Sequence, residues 1–96
     1  MKRDKSKRWF LYVVECSDKS LYTGITTDID RRIDEHNHSK KGAKYTASRR
    51  PVQIVFARIF ENQSTATKAE CQFKKFRRKE KLKIISGEKE FPLVNE

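Results

Sequence analysis

Residues 20–36, SLYTGITTDIDRRIDEH, place two arginines and a histidine within one helix-length of a tyrosine and a glycine. At about 100° per residue, Ile29, Arg32, Ile33 and His36 project within one arc of a helix, whereas Arg31 projects away among Asp28, Asp34 and Glu35. The two isoleucines define the buried face. Arg32 and His36 therefore belong on or beside that face, and Arg31 belongs in solvent. A guanidinium beside a small core needs a partner or a cleft. Two chemistries meet that need. Arg32 either lays its stem over apolar surface and pairs with Asp28 at i−4, or it floors a cleft open to a phosphate, which its forked donors match bidentately. His36, one turn on, is by residue type a structural hydrogen-bonder or a proton-transfer group.

The elements that must hold these residues follow from local pattern. WFLYVVEC (9–16) is dense in β-branched and aromatic residues and predicts a buried strand. SDKS (17–20) is turn chemistry and LYTGI (21–25) a second strand, so the two form a hairpin. Thr26 or Thr27 is expected to cap the helix that runs to about His38, with Asp28 and Asp30 in its first turn. KKGAKYTASRR (39–50) is expected to be a basic loop, and VQIVFARIF (52–60) a third strand opened by Pro51. A second helix is predicted from about Ser64 to Lys79, with Ala66, Ala69, Phe73 and Phe76 as its apolar stripe, then a short helix ending at Gly87. The order β-β-α-β-α(-α) makes a small α+β fold, a three-stranded antiparallel sheet flanked by helices. The expectation is one domain over residues 1–96. Its core spans about 8–87, between a basic N-terminal arm (1–8) and a C-terminal tail (88–96).

Charge narrows the partners. The chain carries a net +10, concentrated at residues 1–8, 31–50 and 68–83. Such a field points to nucleic acid ahead of an anionic membrane or an acidic protein, although a lysine-rich surface also serves solubility. No basic helix has the broad Trp/Leu face that lies in a bilayer, and no apolar run is long enough to span one. Cys16 and Cys71 are too few for a metal cage or a disulfide framework. These features predict a cytoplasmic protein with reduced thiols and no membrane partner.

Tyr12, then Tyr22-Thr23-Gly24, then Arg32 eight residues after the glycine and His36 four later, resemble the GIY-YIG nuclease domain. GAKYTASRRP (42–51) and AECQFKKFRRKEK (69–81) are similar to its short, stand-alone bacterial members. Matched position by position, Tyr12 and Tyr22 are the tyrosines of the two motif halves, Gly24 the glycine, Arg32 the arginine and His36 the histidine. Glu70 matches the metal-binding glutamate. Phe10-Leu11-Tyr12 stands where the motif has Gly-Ile-Tyr, and Thr23 stands for its second isoleucine. An asparagine used near the site by some members has no evident match.

The resemblance implies an endonuclease that hydrolyses phosphodiester bonds in DNA, branched or damaged forms included, with one Mg²⁺ held by Glu70, water and phosphate oxygens. Arg32 would neutralise the scissile phosphate, while one tyrosine takes a proton from water and the other positions it. Ionising a free tyrosine at pH 7.5 costs roughly 3.4 kcal/mol, which Arg32 and the ion are expected to offset. Lys44, Tyr45, Arg49 and Arg50 would hold the nucleic-acid backbone, with Tyr45 free to stack on a base, or form an ordinary solvated loop. A two-tyrosine site also demands that both rings share a sheet face. That requires an odd-length turn or a bulge around residues 17–20. The competing expectation is a non-catalytic nucleic-acid-binding module that retained the fold, although such a binder has no need of Glu70.

Overall fold

The computed structural model describes residues 8–91, so most of the basic arm and the last residues of the tail lie outside the described residues. Strand β1 (Trp9–Glu15) is the centre of a three-stranded antiparallel sheet, with β2 (Leu21–Thr26) on one side and β3 (Gln53–Phe60) on the other. Its residues 11–14 are fully buried, as a central strand covered on both faces must be. Between β2 and β3 the chain forms α1 (Ile29–His38) and α2 (Lys44–Ala47); after β3 come α3 (Gln63–Lys74) and α4 (Arg78–Ser86).

Two small cores result. Leu11 and Val13 point to one face and pack with Ala69, Phe73, Ile84 and Phe91, beneath α3 and α4. Tyr12, Val14 and Cys16 point to the other and pack with Val52 and Ile33, beneath α1. Cys16 thus fills core space as a small apolar group.

The β1–β2 connection meets the demand for odd length. Cys16 N–H donates to Ser20 C=O at 2.8 Å and Lys19 N–H to Cys16 C=O at 2.9 Å, leaving the three residues 17–19 as the loop. Lys19 takes the left-handed conformation (φ 73°) that such a loop requires, and the Asp18 carboxylate accepts from Ser20 N–H. The register pairs Tyr12 with Gly24 and Val14 with Tyr22. Both tyrosines therefore face the α1 side.

Local expectations needed four corrections. Asp28, not Thr26 or Thr27, caps α1 by accepting from Arg31 N–H, while Thr26 Oγ1 accepts from Asp28 N–H one step earlier. The expected loop 39–50 holds the helical turn α2. The expected helix 64–79 stops at Lys74 and restarts at Arg78, because Phe73 and Ile84 must reach the same core and one straight helix would carry them about 16 Å apart. The break also leaves Gly87 (φ 88°) as the left-handed cap of α4, as expected. Finally, the tail placed outside the core contributes to it: Phe91 is buried against Phe56, Phe60 and Phe73. Phe91→Ala should destabilise the protein by about 3 kcal/mol, seen as a lower urea midpoint with an unchanged slope; an unshifted midpoint would mean that this packing contributes nothing.

Candidate active site

Tyr12 extends from the central strand across β2. A Cβ placed on Gly24 would lie 2.6 Å from the Tyr12 hydroxyl oxygen and 2.9 Å from the ring carbon that bears it. Only glycine lets the phenol cross there. The hydroxyl meets His36 Nε2 at 2.7 Å, both residues being fully buried. Helical phase is thus confirmed: His36 and Arg32 turn toward the sheet and Arg31 stays exposed.

The proton positions around His36 can be deduced. Thr46, buried in α2, places Oγ1 2.9 Å from Ala43 C=O and 2.9 Å from His36 Nδ1. Its single proton must go to the carbonyl, so toward the imidazole the oxygen accepts and Nδ1 carries the hydrogen. Nε2 is then the acceptor, and Tyr12 O–H donates to it. The Ala43 amide, 3.4 Å from Nδ1, is the weaker competitor.

Arg32 does not pair with Asp28, whose carboxylate is engaged as the α1 cap. Its Nη1 donates to Glu35 Oε1 at 2.8 Å and to Lys41 C=O at 2.9 Å. Burial opposes its charge, but the hydrogen bonds with Glu35 and Tyr12 prevail and hold its pKa above the ordinary value. On Tyr12 the balance runs the other way. Burial pushes the phenol up to about 12; Arg32 favours the phenolate, and the charges of Tyr22 and Glu70 oppose it. In the free protein Arg32 alone does not bring the phenolate within reach: ionising Tyr12 at pH 7.5 costs about 6 kcal/mol. His36 is shifted to about 4, by burial first and then by the Arg32 charge.

The remaining expected groups fall around this centre. Tyr22 meets the His36 ring edge-on with centroids 5.3 Å apart and stacks on Tyr45 at 5.9 Å. Glu70 comes from α3, under the opposite face of the sheet, yet its charge is felt at the Tyr12 hydroxyl. It ion-pairs with Lys74 at 3.1 Å. No three acidic, histidine or cysteine side chains converge among the described residues. A lone, mostly covered carboxylate nonetheless fits a Mg²⁺ ion, which keeps most of its water and needs only one or two protein oxygens.

Of the basic loop, Lys44 is exposed. Tyr45 is half-exposed, but the Arg49 guanidinium lies 3.9 Å from its ring centroid and Tyr22 stacks on it, so a base could stack there only by displacing one of them. Arg49 also binds Asp18 at 3.1 Å. Arg50 donates to His36 C=O and Ser39 C=O, both at 2.6 Å, and so caps the end of α1. Asn37 mimics a strand neighbour, exchanging two hydrogen bonds with the Val52 backbone. Thr46 was missed by sequence reasoning; the only signal was its place beside Tyr45 in a stretch too short to show helical periodicity.

The depressed His36 pKa has a measurable consequence. Its folded value (about 4) lies below the unfolded value (about 6.5), so the buried neutral ring contributes stability that is fully present above pH 6.5 and is lost as pH falls toward 4. Urea unfolding should lose about 3 kcal/mol more between pH 7 and pH 4 in the parent than in His36→Gln; equal losses in both would refute the buried neutral imidazole.

Comparison with known proteins identifies the family and the fold. A family model described as the GIY-YIG catalytic domain matches residues 8–83. The UPF0213 protein of Syntrophus aciditrophicus is 51% identical over 76 residues, which cover 79% of this chain and 87% of that one. The UPF0213 protein of Desulfotalea psychrophila is 47% identical over 87 residues, 90% of this chain and 79% of that one. Among solved structures, the solution NMR structure of a Bacillus halodurans UPF0213 protein superposes with a TM-score of 0.54 at 42% identity, covering 82% of this chain and 83% of that one. An E. faecalis protein solved by NMR gives 0.59 at 38% identity, covering 98% of this chain and all of that one.

Proposed function

Because the chain belongs to the GIY-YIG family and carries its nuclease-type fold, we propose that it is a Mg²⁺-dependent endonuclease acting on DNA, branched or damaged DNA included. The observation that carries this reading is the meeting of Tyr12, Tyr22, Arg32 and His36 at β2, with the charge of Glu70 reaching the same hydroxyl from the other side of the sheet. A binding module has no use for a carboxylate that opposes phosphate.

Arg32 receives the scissile phosphate, its fork already oriented by Glu35 and the Lys41 carbonyl. Tyr12 is the better candidate for general base, because its O–H already points at an acceptor. As its oxygen takes a proton from the attacking water, its own proton passes to His36 Nε2. The water oxygen bonds to phosphorus, the P–O bond to the leaving oxygen breaks, and that oxygen takes up a proton from solvent. The free site resists this transfer, since burial disfavours both phenolate and imidazolium. An arriving phosphodiester changes the balance: pairing with Arg32 cancels much of the positive charge that depresses His36. Tyr22, against the imidazole edge, positions the water. Glu70 would hold the Mg²⁺, which when bound supplies positive charge to the phosphate oxygens.

The test is cleavage of labelled single-stranded, duplex and branched DNA, and of RNA, with and without Mg²⁺. Arg32→Ala, Tyr12→Phe and Glu70→Ala should each reduce cleavage at least a hundredfold, with binding largely kept in Glu70→Ala. Duplex affinity should fall with salt at a log–log slope near −5 if about six phosphates are contacted. Tight, salt-sensitive binding with no cleavage of any substrate would replace the enzyme by the binding module.

A further inference from the structure

Beside the tyrosines lies a hollow of about 220 Å³ that the proposed chemistry does not use, lined by Leu21, Tyr22, Thr23, Tyr45, Lys74 and Lys81. It shares Tyr22 with the candidate active site and opens at β2, an edge strand of the sheet. Two of its lining residues are tyrosines, and among the described residues the only charges that line it are two ammonium groups. Lys74 is partly neutralised by Glu70. Lys81 is not: among the described residues no carboxylate pairs with it, and its ammonium lies 5.8 Å from the Phe73 ring centroid. Burial, then the positive charges of Lys74 and Arg78, hold its pKa below the ordinary value. A half-covered, unpaired ammonium in a hollow with a second cation is a poor arrangement for stability alone. An anion there relieves both the lost solvation and the repulsion.

We propose that this hollow seats a backbone phosphate of the nucleic-acid strand, next along the chain from the phosphate that Arg32 receives, with Lys81 as its principal contact. The proposal rests on the nuclease reading for the neighbouring phosphate. Lys74 couples the two positions, touching the proposed metal carboxylate on one side and the hollow on the other. Tyr22 and Tyr45 wall the hollow and fix where the strand runs. A phosphate held there aligns the next one over the tyrosines, so Lys81 acts on substrate affinity and register more than on the chemical step.

Two measurements on the full chain decide it. In the first, amide shifts are followed as inorganic phosphate is added at low salt. Tyr22, Thr23 and Tyr45 should move, the response should vanish in Lys81→Gln, and it should return in Lys81→Arg. In the second, a labelled single-stranded oligonucleotide is titrated over a range of salt. Lys81→Gln should weaken binding about fivefold or more and reduce the log–log slope by about 0.7, again with recovery in Lys81→Arg. On a cleaved substrate, the same variant should raise KM and leave kcat near the parent value. Phosphate shifts without any effect on the oligonucleotide would make the hollow a site for free phosphate and overturn the proposal. An unchanged slope in a parent protein that does cleave would overturn it while leaving the nuclease reading intact. If nothing is cleaved, the nuclease reading falls, and the two binding measurements still decide whether the hollow takes a phosphate.

Discussion

A three-residue connection, Ser17–Lys19, decides which face of the sheet Tyr22 occupies, and with it whether two phenols and an imidazole can meet at all. Strand side chains alternate, so one residue more or fewer would turn the whole of β2 over and send Tyr22 toward α3. The loop holds Lys19 in a conformation that costs a non-glycine residue about 1–2 kcal/mol. Contacts from distant parts of the chain offset that cost. Ser17 N–H donates to Arg49 C=O, the Arg49 side chain binds Asp18, and Arg78 at the start of α4 donates to Lys19 C=O. The register is therefore supported by Arg49, just beyond α2, and by α4 as well as by local turn chemistry.

Given that register, the electrostatics of the centre follow from how deeply it is covered. Burial opposes charge on Tyr12, on His36 and on Arg32, but only Arg32 has partners strong enough to keep its ion favoured. The resting centre is thus one fixed cation beside a neutral phenol and a neutral imidazole joined by a hydrogen bond. Such a centre would be sensitive to an incoming anion, because Arg32, the group proposed to receive it, is also the one that biases the proton positions.

The sequence made legible whatever depends on periodicity and residue type. The strand and helix order, the inward turn of Arg32 and His36, and the need for an odd connection between the tyrosines could all be read from alternation, helical phase and parity. What escaped were features set by long-range packing. The split of α3 from α4 depends on Phe73 and Ile84 sharing a core, and the burial of Phe91 depends on an aromatic cluster that no window around residue 91 contains. Arg50 and Arg49 look alike in SRRP, yet one caps α1 and the other covers Tyr45. Thr46 sits in too short a helix to announce itself. The upward shift of Tyr12 was not legible either, because composition names the charges but not the depth at which they act.

The position of Glu70 has a consequence in time. The tyrosines, Arg32 and His36 come from the first half of the chain and from one side of the sheet, whereas Glu70 belongs to a helix laid down after β3 on the other side. During synthesis from the N-terminus, Tyr12, Tyr22, Arg32 and His36 emerge long before the Glu70 carboxylate, and α3 follows β3 in the chain. A nascent or truncated chain therefore holds only the half of the proposed centre that lies on the α1 side, and Glu70 joins it only once α3 has packed on the other face.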